Sequence, residues 1–77
     1  MTSATGKPKI PAKRWRVTTS GSSDDYTSER KAYDRVNAFA AIGTAAIGLR
    51  VTVHHFEDGR WVLYERVVIT ENGWEPA

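Results

Sequence analysis

The chain has no cysteine. That excludes a disulfide framework and thiolate metal sites. It has only two histidines, too few to make a structural zinc site by themselves. Long apolar runs are missing too. The longest stretch, residues 38–49, is broken by Gly43, Thr44 and Gly48 and is too short to span a bilayer. The first residues lack the apolar segment of an export signal. These absences lead to the expectation of a cytoplasmic protein with no cofactor, no membrane contact and no small-molecule substrate.

Seventy-seven residues allow one domain with a thin core. A chain of this size buries only roughly 60% of its unfolded surface. Packing alone must hold it, and packing across a homodimer is one way to add to it. The hydrophobic content of 40% and charged content of 26% are those of a globular domain. The net charge of +2 hides an asymmetry. Lys7, Lys9, Lys13, Arg14 and Arg16 stand in residues 1–16 with no acid among them, while the rest of the chain has six bases and nine acids. The positive end is suited to an anionic partner.

Residues 1–12 are rich in proline, glycine and small polar residues and read as a basic arm. From Lys13 to Ser20, Trp15, Val17 and Thr19 alternate with Arg14, Arg16 and Thr18, the pattern of a half-buried strand. Residues 21–25 read as a turn. Thr27 is the expected helix N-cap, and Ala32, Tyr33, Val36, Phe39 and Ala40 recur at helical spacing. Gly43 fits the C′ position. Leu49–Phe56 and Arg60–Thr70 read as two strands joined at Glu57-Asp58-Gly59. Glu71-Asn72-Gly73 is a second turn, with Trp74 and Glu75 a stub of a fourth strand. The expectation is an α+β single small domain over 13–75, in β-α-β-β order. Its three-stranded sheet has one helix packed on one face.

Hairpin register decides which side chains share a face. A two-residue loop at Asp58-Gly59 pairs Glu57 with Arg60. It places Val62, Tyr64, Arg60 and Arg66 beside Leu49, Val51 and Val53. A three-residue loop with a Gly59 bulge pairs Phe56 with Arg60. It places Trp61, Leu63, Val67 and Ile69 there instead, leaving only Glu65 out of place. Burying one carboxylate near an edge costs less than burying two guanidiniums, so the bulged loop is expected. Arg14, Arg16, Arg50, Thr52, His54, Phe56, Arg60, Val62, Tyr64 and Arg66 then form the bare face.

No catalytic constellation emerges, and the chain reads as a non-enzyme. His54 and His55 are adjacent in a strand and point to opposite faces. Asp24 and Asp25 have no third ligand at a recognisable spacing. Gly43 and Gly48 have phosphate-loop separation, but Leu49-Arg50 stands where lysine and serine or threonine are needed. The serines suit turns and caps. What remains is binding. Lys7, Lys9, Lys13, Arg14 and Arg16, with Arg50, Phe56, Arg60, Tyr64 and Arg66 on the bare face, are the candidate contacts for nucleic acid. Cations release counterions from its backbone, and aromatic rings stack its bases. Arginine and aromatic residues also mark protein interfaces, so a protein partner or a homodimer, through this face or a sheet edge, is the alternative.

Trp15-Arg16-Val17, Tyr26-Thr27-Ser28-Glu29, Ala32-Tyr33, Val36, Val51-Thr52-Val53 and the run from Glu57 to Arg66 resemble small orphan proteins of bacteriophages that infect high-GC actinobacteria. The resemblance covers about residues 13–68. It implies an accessory or host-takeover protein in the host cell cytoplasm. Such a protein acts by binding a host protein or nucleic acid, with no catalytic residues to carry over.

Overall fold

Strand β1 covers Trp15–Thr18 and β2 Ser23–Tyr26, followed by helix α1 at Glu29–Ala40. A single 3-10 turn, Thr44–Ala46, leads to β3 (Arg50–Glu57), β4 (Arg60–Thr70) and β5 (Gly73–Pro76). This computed structural model describes residues 10–77. Lys7, Lys9 and most of the expected basic arm lie outside the described residues.

All five strands pair antiparallel, in the order β2-β1-β3-β4-β5. The expected three-stranded β-α-β-β sheet is therefore corrected to five strands. The two additions have separate causes. Ser-Asp-Asp-Tyr has little intrinsic strand preference, but every residue of β2 finds a partner on β1, including Asp25 opposite Arg16 and Tyr26 opposite Trp15. The turn is confined to residues 19–22 and carries a bond from Thr19 N to Ser22 O of 2.8 Å. At the other end, Thr70 pairs with Gly73. The expected stub becomes a full edge strand.

Helix α1 begins one residue later than expected. Ser28, not Thr27, is the N-cap, and its hydroxyl accepts from Lys31 N at 3.2 Å. The helix stops at Ala40 with Ala41 as C-cap, so Gly43 does not occupy the C′ position. Gly43, at φ +97°, instead turns the chain into the 3-10 segment. Ala32 and Val36 carry the helix's buried stripe. They meet Val17, Val51, Val53, Val67 and Ile69, which are at most 2% exposed. Burying a side chain of this type contributes about 1.5–3 kcal/mol. Trp15, Tyr26, Tyr33, Phe39 and Trp74 ring this core.

The β3–β4 hairpin does not take the expected Gly59-bulged loop: near the turn it takes the two-residue register, and it departs from that register farther along. Its loop has two residues, Asp58 at φ +51° and Gly59 at φ +80°, and Glu57 faces Arg60. Positive φ at both positions is the type I′ turn that suits strand twist. Farther on, His54 faces Leu63 but Val53 faces Glu65, which leaves Tyr64 as a bulge. The bulge resets the alternation. Near the turn, Trp61 and Leu63 lie on the face away from the helix, and Val62 lies on the helix side. Beyond Tyr64, Val67 and Ile69 return to the core. One extra residue thus combines the favoured tight turn with the apolar half of the strand buried.

Candidate binding face

Alternation along each strand sorts the side chains of the uncovered sheet face. Paired positions across β4, β3, β1 and β2 form rows. The row nearest the β3–β4 turn holds Trp61 and Phe56. The next holds Leu63, His54, Arg16 and Asp25. The third holds Arg66, Thr52, Thr18 and Ser23. Arg50, opposite Val68, lies beyond it. Arg14 precedes β1, but its carbonyl accepts from Phe56 N at 2.8 Å, so it continues the same alternation.

Arg16 anchors the middle of the face. Its Nε donates to Asp25 Oδ1 at 2.8 Å and its terminal nitrogen to Oδ2 at 3.1 Å. This fork fixes the guanidinium plane. Arg16 also reaches across β3 to lie 4.0 Å above the Trp61 ring. Phe56 meets Trp61 edge-on, with centroids 5.3 Å apart. The hydrogen bond from Arg16 holds the Asp25 carboxyl below its ordinary range, against a smaller opposing effect of burial. The same bond raises Arg16.

Two expected site residues do not belong to this face. Tyr64 turns to the helix side, where its hydroxyl donates to Glu29 Oε2 at 2.9 Å and its ring meets Trp15 edge-on at 4.8 Å. The bond to Glu29 raises the Tyr64 phenol above its ordinary value. Arg60 sits at the exposed hairpin tip opposite Glu57 and shares the alternation of Val62. The two-residue loop moves both. Arg14, Arg16, Arg50, Phe56 and Arg66 stay on the open face as expected, and Lys13 is exposed beside it. The charge of Arg16 is largely taken up by Asp25, which leaves Arg14, Arg50 and Arg66 as the face's cations. Acids stand only on the two edge strands, Asp25 on β2 and Glu75 on β5.

The chain matches no protein-family model, no curated protein and no solved structure.

Trp61 and Leu63 are the members of the face that sequence reasoning placed in the core. Leu63 is 42% exposed. The signal for them was present: Asp58-Gly59 is the strongest short-range cue for a two-residue hairpin. His54 and His55 point to opposite faces, toward Arg16 and Trp15 respectively. Among the described residues, no group of three or more His, Asp or Glu side chains is placed to hold a metal ion. No helix among them is long and apolar enough to cross a membrane.

Proposed function

We propose that the chain is a small non-enzymatic binding protein that holds single-stranded nucleic acid on the open sheet face. One observation carries this reading. Arg16, clamped by Asp25 and stacked over Trp61, lies beside Phe56 on an uncovered face whose remaining charges are the cations Arg14, Arg50 and Arg66 and, on the edge strand β5, Glu75. Guanidinium planes and aromatic rings are platforms for unpaired bases, and flanking cations meet the phosphates. Stacking platforms serve unpaired bases, so the single strand is the form that fits. Lys7, Lys9 and Lys13 add to the attraction. The likeness to phage orphan proteins points the same way, to an accessory or host-takeover factor in the host cytoplasm that acts by binding.

Anisotropy of a fluorescent single-stranded oligonucleotide at low salt tests the proposal. The full chain should bind. Trp61→Ala should cost roughly 1–3 kcal/mol of affinity, the worth of one stacked base. Tyr64→Ala, on the far side of the sheet, should leave affinity unchanged. Absence of binding by the full chain would end the proposal.

Leu63 favours a second reading. An exposed leucine beside Trp61 and Phe56, with arginines around them, also resembles the centre and rim of a protein interface. A self-association that Leu63→Lys abolishes, seen by light scattering, would support a homodimer. A host protein lost from pull-downs with the same variant would support a heterologous partner.

A further inference from the structure

We infer that Arg50, Arg66, Thr52 and Thr18 form an oxyanion subsite for a phosphate group, at the end of the open face away from the aromatic residues. Arg66 faces Thr52 across β3–β4, and Arg50 faces Val68. The two arginines are therefore diagonal neighbours, roughly 7–8 Å apart at the backbone. Their guanidiniums can converge on one tetrahedral anion. Both are exposed. Neither makes an ion pair or side-chain hydrogen bond among the described residues, in contrast to Arg16.

The surface there is concave. Two recesses, of about 460 and 280 Å³, flank Arg50 and Thr52 and share both residues. The larger is lined by Thr18, Thr19 and Ser20, the smaller by Arg66 and Ala77. No Asp or Glu side chain lines either recess. Thr18 faces Thr52 across β1–β3, and its hydroxyl lies 3.2 Å from Ser23 Oγ. Thr52 Oγ1 has no hydrogen-bond partner among the described residues. Two fixed positive charges and neutral hydroxyl donors are what a phosphoryl oxyanion requires; the one carboxylate side chain in the Arg50 row is Glu75, a strand away across Val68. About six residues of strand separate Arg50 from Phe56, roughly 20 Å, so an occupant of this subsite leaves the aromatic end free for bases.

The inference rests on the open face being the binding face, but phosphate alone can test it. The full chain, labelled with nitrogen-15, is titrated with inorganic phosphate against chloride at matched ionic strength. Saturable shifts should centre on Arg50, Thr52, Arg66 and Thr18. Affinity should fall roughly tenfold for each guanidinium removed by Arg50→Gln or Arg66→Gln. Both side chains are exposed, so the variant spectra should otherwise superimpose. Uniform non-saturating shifts at every lysine and arginine, or an unchanged response in the double variant, would overturn the subsite.

Oligonucleotides then identify the source of the phosphate. A terminally phosphorylated strand that outbinds its unphosphorylated twin, with the gain lost in the double variant, assigns the subsite to a terminal phosphate. Equal binding of the two strands, both weakened in the double variant, assigns it to the backbone. Saturable phosphate binding with no oligonucleotide binding keeps the subsite and overturns the nucleic-acid reading. Oligonucleotide binding unaffected by the double variant does the reverse.

Discussion

Glu65 shows how one carboxylate is tolerated on the helix side of the sheet. It faces Val53, which is fully buried. Tyr33, from the helix, donates its hydroxyl to Glu65 Oε1 at 2.5 Å. Burial raises the Tyr33 phenol far above its ordinary value, and the bond to Glu65 raises it further. Tyr33→Phe should cost roughly 1–3 kcal/mol, because a half-buried carboxylate loses its donor; urea denaturation measures it. A phenol raised on folding stabilises the fold fully below its unfolded value, and that stability is lost as pH climbs above about 10. The variant should lack this alkaline loss. Asp25 has the opposite sign. Its folded value is lowered, so its contribution is present above the ordinary Asp range and fades as pH falls below it. Arg16→Gln should flatten that acid limb in pH-dependent thermal melts. A double-mutant cycle on this partly exposed pair should give only about 0.2–1 kcal/mol.

At the scale of elements, the β3–β4 hairpin distinguishes a core residue from a face residue. Ile69, 1% exposed, is core. Ile69→Ala should cost about 2–5 kcal/mol. Trp61→Ala should cost nearer 1 kcal/mol, the scale of its contact with Arg16. Equal losses in thermal or urea unfolding would contradict the register described. The hairpin also shows what the sequence made legible. Arg60–Thr70 as a strand, the position of a turn at Glu57-Asp58-Gly59, the helical stripe through Ala32 and Val36, and burial of Val67 and Ile69 all follow from local pattern. The position of Trp61 does not. The tight turn and the buried Val67–Ile69 segment demand opposite parities, and only the Tyr64 bulge reconciles them. No residue at position 64 announces a bulge. Strand β2 was hidden for a related reason: its two aspartates oppose strand formation locally and find their cations only in the fold, Asp25 at Arg16 across the ladder and Asp24 at Arg35 on the helix. On the open face, Arg16, Phe56 and Arg50 were legible because alternation alone places them, whereas Arg66 reaches it only through the bulge at Tyr64. The Thr18–Thr52 row depended on knowing that β1 pairs with β3.

At the scale of the whole molecule, the sheet has one side under the helix and one side bare, and the binding proposal depends on that division. A salt titration of oligonucleotide affinity should show a slope that falls by about 0.7 for each phosphate contact removed. Arg50→Gln and Arg66→Gln should each lower it by that amount. Removal of residues 1–12 should lower it by as much again for each of Lys7 and Lys9 that contacts the strand. The most direct single measurement is a map of backbone amide shifts on adding a short single-stranded oligonucleotide at low salt. The expected shifts run across Arg14, Arg16, His54, Phe56, Trp61, Leu63 and Arg66, with Glu29, Tyr33 and Tyr64 unmoved. Shifts confined to the helix side, or none at all, would contradict it.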